Sequence, residues 1–167
     1  MVMVLKDIHL KVTAELLKNS RNSDREIAKR LGISQPTVTR TRTKLEKSGL
    51  IQAYTAIPDF RKMGFQLLAF TFMSFQEDRP ELFVKAREWV SKRPSIIFAN
   101  NGLGQGMNSV MMSLHKDFTS YKLLLDQLKR DWSPNLTKEQ SFVISLEQTD
   151  VTIKPLSLAN LLINEMI

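Results

Sequence analysis

The most constraining feature of the sequence is a pair of short predicted helices separated by a tight turn. Ser23 and Glu26 form a capping box, in which each side chain can satisfy a free backbone N–H at a helix start. Gly32 ends this helix, because glycine readily adopts the left-handed conformation of a tight turn. Ser34 then caps the next helix. Two helices joined by a short turn that contains glycine predict a helix-turn-helix.

The flanking segments extend this motif. Leu5 to Lys18 has apolar residues at helical spacing and predicts a first helix, which completes a three-helix core. The helix after the turn is predicted to continue to Lys47. Apolar and polar residues alternate over residues 50–57, which predicts a β-strand that serves as a wing and ends at Pro58.

The phase of the third helix separates a buried face from an outward one. Val38 and Leu45 are predicted to face the other helices, so the opposite side presents polar and cationic residues without an acid. Gln35 and Arg40 suit base edges, because Gln pairs bidentately with adenine and Arg with guanine. Arg42 falls towards the buried side, and its guanidinium is predicted to reach the edge or to pair with an acid. The candidate DNA-binding residues are Ser34, Gln35, Thr37, Thr39, Arg40, Thr43, Lys44 and Lys47.

The charge is unevenly distributed along the chain of 167 residues. Residues 1–62 hold 13 basic and 6 acidic side chains, which equals the whole net charge of +7, and residues 63–167 hold 11 of each. Such asymmetry is typical of a polyanion-binding segment joined to a neutral one. Within the first segment, Ser34, Lys44 and Lys47 are predicted to contact phosphates.

The second part of the sequence predicts the element order β-α-β-β-α-β. The two helices are predicted over Pro80 to Arg93 and Phe118 to Trp132, and the Gly-rich stretch 100–108 is predicted as a loop. This order is that of a ferredoxin-like fold, whose helices cover one face of a four-stranded antiparallel sheet. The other sheet face is predicted to stay apolar and uncovered, which favours self-association.

The fold class is therefore α+β, with an N-terminal winged helix-turn-helix and a C-terminal ferredoxin-like βαββαβ domain. The predicted limits are residues 1–57 for the DNA-binding domain, 58–64 for a linker and 65–167 for the oligomerisation domain. A short apolar helix is predicted at residues 156–167.

Asp24 to Arg40, followed by Leu45 to Ile51, resembles the winged helix-turn-helix of the leucine-responsive/asparagine-operon (Lrp/AsnC) transcription regulators. The predicted order of the remaining elements matches the effector-sensing and assembly domain of that family. The resemblance implies a sequence-specific regulator of transcription that binds pseudo-palindromic double-stranded DNA as a homodimer or a higher homo-oligomer. It also implies modulation by a small-molecule effector such as an amino acid.

In that family the turn between the second and third strands carries a G-x-x-D signature near the small-molecule site. Here Gln105 and Asn108 stand where the family has Gly and Asp. The resemblance therefore implies an effector-binding stretch around this turn. Its candidate residues are Asn101, Gly102, Gly104, Gln105, Gly106 and Asn108.

Several functional classes are disfavoured. The chain has no cysteine, and His9 and His115 lie too far apart for a helical zinc motif, so no metal or cofactor is expected. His9 is predicted at the surface and His115 at the surface or an interface. The acids form no paired constellation, which argues against an enzyme. No apolar run is long enough to cross a membrane, and a cytoplasmic location is expected. The alternative function is a small-molecule sensor whose basic half docks on an acidic protein.

Overall fold

The computed structural model describes residues 5–76, 80–148, 152–154 and 156–159. These residues divide into two compact units. The first contains the residues up to Ile57 together with those described after Thr152, and the second contains Pro58–Thr152. Residues 60–64, within the predicted linker, form hydrogen-bonded turns, and the amide of Met63 donates to the carbonyl oxygen of Asp59.

The first unit contains three helices with the predicted start signals. Ser23 and Glu26 exchange the hydrogen bonds of a capping box, with 2.7 Å from the Ser23 amide to Glu26 Oε2 and 3.3 Å in return. Gly32 has a left-handed φ of 65°, as the turn requires. Ser34 caps the last helix by accepting a hydrogen bond from the amide of Thr37. The helices are α1 (Asp7–Lys18), α2 (Asp24–Leu31) and α3 (Gln35–Lys47).

The core of the first unit draws side chains from all three helices. Val12, Ile27, Val38 and Leu45 are each fully buried. Burying a side chain of this size contributes about 1.5–3 kcal/mol relative to leaving it in water. The predicted inward face of α3 is therefore confirmed, and this packing fixes which of its residues point outward.

The predicted wing strand over residues 50–57 is wrong. These residues pair with no strand among the residues described, and Leu50, Ile51 and Tyr54 form hydrogen bonds with α3 instead. The amides of Leu50 and Ile51 both donate to the carbonyl oxygen of Leu45 and so close the end of that helix. Alternating sequence alone does not make a strand, because a strand needs a partner for its backbone groups.

The second unit has the predicted ferredoxin-like element order. Its sheet is antiparallel with the strand order β2-β3-β1-β4, so sequence neighbours β2 and β3 form a hairpin while β1 lies between β3 and β4. The elements are β1 (Leu67–Phe75), α4 (Pro80–Ser91), β2 (Ile96–Gly104), β3 (Met107–His115), α5 (Phe118–Trp132) and β4 (Leu136–Ser145).

The two faces of this sheet differ in burial. On β1, Ala69, Thr71 and Met73 are buried, and Met73 packs in a core that also contains Trp89 and Met111. Their neighbours along the strand point to the opposite face, because side chains alternate across a sheet. On β3, Met107 and Met111 are also buried, and Met111 belongs to the same core.

The structure differs from the prediction in one chain segment and describes only part of another. The Gly-rich stretch 100–108 is not a loop, because β2 continues through Gly104 and β3 begins at Met107. The predicted C-terminal helix lies mostly outside the residues described, and residues 156–159 of it form a bend and a turn.

Candidate functional site

All eight residues predicted to bind DNA are exposed in the first unit. They follow α3 from its cap to its last turn, and its first turn contains no acidic residue while Lys44 and Lys47 lie at its end. The structure therefore gathers on one helix surface Ser34, Gln35, Thr37, Thr39, Arg40, Thr43, Lys44 and Lys47.

Two hydroxyl groups at the start of α3 serve its cap. Ser34 Oγ accepts a hydrogen bond from the Thr37 amide at 3.4 Å and lies 2.8 Å from Thr37 Oγ1. The partial positive charge of a helix start and its free N–H groups suit an anion there. Gln35, next to the cap, has an exposed side chain.

Thr39 has a role that its position in the sequence did not suggest. Its hydroxyl group donates to Asp24 Oδ2 at 2.7 Å and lies 3.2 Å from the carbonyl oxygen of Gln35. The hydroxyl therefore ties α3 to the first residue of α2. Towards the solvent, Thr39 still offers its hydroxyl oxygen as an acceptor and its methyl group.

Arg42 also contacts α2, which confirms that its guanidinium pairs with an acid. Its Nε lies 3.1 Å from Asp24 Oδ1, and its Nη2 donates to the carbonyl oxygen of Asn22 at 2.9 Å. The pair is four-fifths buried. The Asp24 carboxylate thus accepts a hydrogen bond from the Thr39 hydroxyl and forms an ion pair with Arg42. These two contacts join α3 to the start of α2.

Tyr54 extends this network to the segment after α3. The Arg42 guanidinium carbon lies 5.9 Å from the centre of the Tyr54 ring, and the Tyr54 hydroxyl donates to Glu46 Oε1 at 2.7 Å. Burial and then the Glu46 carboxylate raise the pKa of Tyr54 to about 12. Glu46 is the one acid in the α3 sequence, and this bond holds its carboxylate. No sequence spacing indicated Asp24 and Tyr54, because both contacts are tertiary.

His9 is buried, so its predicted surface position is wrong. Its Nδ1 accepts a hydrogen bond from the Lys6 amide at 3.1 Å and so caps α1. Burial, followed by the positive charges of Lys44 and Lys6, lowers the pKa of His9. The neutral ring is therefore the form that lies beside the cationic end of α3.

In the second unit the candidate effector residues lie on the β2–β3 hairpin. Gln105 and Gly106 form its two-residue turn with left-handed φ values of 54° and 73°. Two such residues are what a type I′ hairpin turn requires, and this explains why a Gly-rich stretch forms strands here. Gly104 pairs with Met107 across the turn.

Asn108 is used within the sheet. Its side-chain oxygen accepts from the Phe75 amide at 3.0 Å, and its amide nitrogen donates to the Phe75 carbonyl at 2.8 Å. The side chain thereby continues the backbone ladder between β3 and β1. Nearby, Ser109 Oγ donates to Asn101 Oδ1 at 2.9 Å.

A cavity of about 870 Å³ lies on the helix-covered side of this hairpin. Asn101, Gly102 and Asn108 line it, whereas Gly104, Gln105 and Gly106 do not. The structure therefore divides the predicted effector residues into a cavity group and a turn group. Its floor and walls also include residues that sequence reasoning missed, namely Met73, Phe75, Leu82, Phe83, Ala86, Arg87, Trp89, Val90, Met111, Leu128 and Trp132.

The opposite sheet face presents one apolar row across all four strands. In the order of the sheet, Phe98, Met112, Phe70 and Phe142 lie opposite one another. Phe98 and Phe142 are 49% and 65% exposed. In the part of the chain that is described, the helices of the second unit pack on the other face of the sheet and leave this row uncovered. The predicted uncovered apolar face is therefore present.

His115 is buried in the second unit, so its predicted surface or interface position is wrong. Its Nε2 lies 2.9 Å from Ser113 Oγ, and its ring packs edge-on against Tyr121 at 5.4 Å between centres. Burial lowers the pKa of His115, against a smaller opposite effect of Asp117.

Within residues 5–76 and 80–148 and the short described stretches after them, no three His, Asp or Glu side chains cluster as metal ligands. None of the helices described is long and apolar enough to cross a membrane.

The three-helix unit and the hairpin-bearing sheet together define a class of protein, a helix-turn-helix followed by a ferredoxin-like domain. Residues 5–52 match the family model described as winged helix-turn-helix DNA-binding. The chain is 35% identical over 72 residues to the leucine-responsive regulatory protein of Rhizobium meliloti, covering 43% of this chain and 46% of that protein. The chain thus spans about half the length of this curated relative.

Two other similarities reach across both units. The chain is 27% identical over 130 residues to the HTH-type transcriptional regulator LrpB of Bacillus subtilis, covering 76% of this chain and 83% of that protein. The structure of LrpC from the same organism superposes with a TM-score of 0.71 at 25% identity, covering 85% of this chain and 95% of the other. Residues 5–52 thus match a winged helix-turn-helix DNA-binding domain, and both units are similar to proteins named as Lrp-type transcriptional regulators.

Proposed function

We propose that this protein is a sequence-specific DNA-binding regulator of transcription. The observation that carries the proposal is the exposed surface of α3, where cations and short polar side chains follow one another in a segment that holds the whole net charge. A helix with such a face fits the major groove, because short polar residues reach base edges and cations meet phosphates.

The roles proposed along α3 follow from side-chain chemistry. Gln35 and Arg40 contact bases, since both can form bidentate hydrogen bonds. Lys44 and Lys47 contact phosphates, together with Ser34 at the helix start. Thr37, Thr39 and Thr43 line the groove with hydroxyl and methyl groups, and the Thr39–Asp24 bond keeps the helix at a fixed angle to α2.

The apolar sheet row supports assembly as a homodimer or a higher homo-oligomer. A contiguous apolar face rimmed by polar residues is typical of a subunit interface. A two-fold dimer presents two α3 helices, which can enter successive major grooves about 34 Å apart on a pseudo-palindromic site.

Modulation by a small molecule, an amino acid among the candidates, is the second part of the proposal. The hairpin that carries Asn101, Gly102 and Asn108 adjoins a cavity of a size suited to such ligands. Catalysis forms no part of the proposed function, and the cytoplasm, where the chromosome of a bacterium or archaeon lies, is the proposed location.

Fluorescence anisotropy with a duplex library tests the roles on α3. We expect Arg40→Ala to lower the preference for the best site about tenfold while non-specific binding changes little, because a bidentate base contact is lost. Lys47→Ala should weaken binding to all duplexes alike. Because each protomer of the dimer loses one phosphate contact, the magnitude of the salt slope should fall by about 2 from a dimer value near −5 to −9.

Lys122→Ala is the matched control, since it removes one exposed helical cation from α5 of the second unit. If Arg40→Ala and Lys47→Ala both bind like the unaltered protein, the assignment of α3 is wrong. Small-molecule binding without any duplex affinity would instead favour a sensor whose basic half docks on an acidic protein.

A further inference from the structure

Thr39 lies in the middle of an exposed row of side chains on α3. Gln35, Thr39 and Thr43 follow one another at intervals of four residues, so they are neighbours on one side of the helix. All three are exposed, and none of them belongs to the core of the first unit. A nucleic-acid base that contacts this row therefore meets the Thr39 side chain between the other two.

The proton of the Thr39 hydroxyl points towards the protein. Its Oγ1 donates to Asp24 Oδ2 at 2.7 Å, and a second acceptor, the carbonyl oxygen of Gln35, lies 3.2 Å away. Neither neighbour can donate in return, because a backbone carbonyl and an ionised carboxylate only accept hydrogen bonds. Arg42 Nε lies 3.1 Å from Asp24 Oδ1 and pairs with that ionised form. Since a hydroxyl has one proton, Thr39 can only accept a hydrogen bond from the outside.

The hydroxyl groups at the start of α3 differ from Thr39 in this respect. Ser34 Oγ and Thr37 Oγ1 lie 2.8 Å apart, and either of them can donate to the other. That pair can exchange roles and present a donor or an acceptor to a partner. The hydrogen bond to a carboxylate is stronger than one between neutral groups, so the direction of the Thr39 proton is fixed.

A side chain that only accepts hydrogen bonds distinguishes two groups of bases in the major groove. Adenine N6 and cytosine N4 are amino groups that donate, whereas guanine O6 and thymine O4 accept. Each base pair therefore carries a single amino group there, on its adenine or on its cytosine. Guanine or thymine at the position that Thr39 faces would place an acceptor oxygen against another acceptor.

We propose that Thr39 determines specificity by accepting a hydrogen bond from the amino group of adenine or cytosine on one defined strand. Asp24 is the positioning residue that directs the hydroxyl proton away from the base. Thr39 then separates A·T and C·G from T·A and G·C, and it does not separate adenine from cytosine. This inference rests on the proposed function, because it requires α3 to lie in the major groove, and it deepens that function by naming the bases.

Selection of duplexes from a randomised library by the full chain, followed by sequencing, tests the role of Thr39. We expect one position in each half-site where adenine and cytosine are both accepted and guanine and thymine are depleted about fivefold, the effect of one net hydrogen bond. Thr39→Val keeps the shape of the side chain without the hydroxyl and should remove this depletion at that position alone. Thr39→Ser keeps the hydroxyl and should retain it. Absence of a position that responds to Thr39→Val, or enrichment of guanine or thymine there, would overturn the proposal.

Asp24→Asn tests the positioning role. A side-chain amide can donate to the Thr39 hydroxyl, which then becomes free to donate to a base. We expect guanine and thymine to be accepted at the same position, while the preferences at the other positions are kept. Weaker binding with an unchanged base preference would show a structural role only and would overturn this part of the proposal. Thr119→Val, at an exposed residue of α5 in the second unit, is the matched control and should leave the selected sites unchanged.

Base analogues test the same contact in the unaltered protein, so the result does not depend on the folding of a variant. Purine in place of adenine at the selected position lacks the amino group but keeps N7, and 7-deazaadenine keeps the amino group but lacks N7. We expect purine to weaken binding about fivefold and 7-deazaadenine to leave it unchanged. Unchanged binding with purine, or a larger loss with 7-deazaadenine, would overturn the proposal.

The same selection separates the two levels of inference. If the full chain selects no duplex at all, the proposed function fails, and the role of Thr39 fails with it. If the chain selects a defined site that has no position accepting both adenine and cytosine, the inference about Thr39 and Asp24 alone is refuted.

Discussion

The two units place their apolar and polar groups in opposite ways. The first unit buries Val12, Ile27, Val38 and Leu45 completely and turns a cationic helix face to the solvent. The second unit has a net charge of only +1, from 12 basic and 11 acidic side chains over residues 58–152, and it leaves Phe142 and other rings of its sheet exposed. The difference shows that each unit has a surface suited to a different partner, a polyanion for the first and an apolar surface such as a second copy for the other.

Leu45→Ala should give the largest effect on stability, because it removes a fully buried side chain from the core under α3. We expect the free energy of unfolding of the first unit to fall by about 3 kcal/mol. Both tryptophans lie in the second unit, so their fluorescence follows that unit while far-UV circular dichroism also follows the helices of the first. An equal shift of the fluorescence transition would contradict the separation of the two units.

Phe142→Asp should act on assembly instead. The ring is 65% exposed in the protomer, so its loss costs the protomer little, but a carboxylate would be desolvated in an interface formed by the apolar row. We expect the dimer dissociation constant to rise about a hundredfold, measured by sedimentation velocity. Val84→Asp, at a similarly exposed residue of α4, is the control and should leave it unchanged. Dimers of unaltered strength in Phe142→Asp would exclude the sheet face as the interface.

Arg42→Met tests the network that orients α3. The substitution keeps the packed stem but leaves the Asp24 carboxylate, itself only 19% exposed, without its cation. We expect a loss of about 1–2 kcal/mol, between the values for surface and buried pairs, and weaker duplex binding. The double variant with Asp24→Asn should recover part of the stability. If it recovers none, the ion pair is not what Arg42 contributes.

The smallest effect is a pH dependence that both units share. Burial lowers the pKa of His9 and of His115 below the ordinary value of 6.5, so folding favours the neutral rings. This contribution to stability is complete above pH 6.5 and is lost as the pH falls from there through the lowered pKa values. His9→Gln should reduce the loss of stability at acidic pH that circular dichroism follows. His115→Gln should reduce the corresponding loss that tryptophan fluorescence follows. Parallel pH profiles in the variants and the unaltered protein would contradict this origin.

The extent to which sequence predicted the fold differs between local and tertiary features. The capping pair Ser23–Glu26, the cap Ser34 and the limits of α5 were predicted, because these depend on residues within one turn. The strand predicted over residues 50–57 is wrong, because its alternating apolar residues have no partner strand among the residues described. The second and fourth strands were predicted, but the extension of β2 through Gly104 and the start of β4 at Leu136 were not, because Gly and polar residues give no strand signal where a neighbour supplies the pairing.

The candidate sites divide in the same way. The outward residues of α3 were predicted as a set from helical phase, and their roles towards DNA stay predictions. The Asp24 contacts of Thr39 and Arg42, and the role of Tyr54, could not be predicted, because they join residues 8 to 18 positions apart. The cavity at Trp132 needed five elements to be placed before any of its walls existed.

The sequence by itself determined the helix starts and stops, the phase of α3, the uneven charge and the order of the second unit's elements. These follow from the periodicity of a helix or strand and from capping by near neighbours, which act over a few residues. Only the tertiary structure decided that His9 and His115 are buried and that Asn108 completes a sheet ladder. Burial and hydrogen-bond partnership depend on which distant segments meet in space.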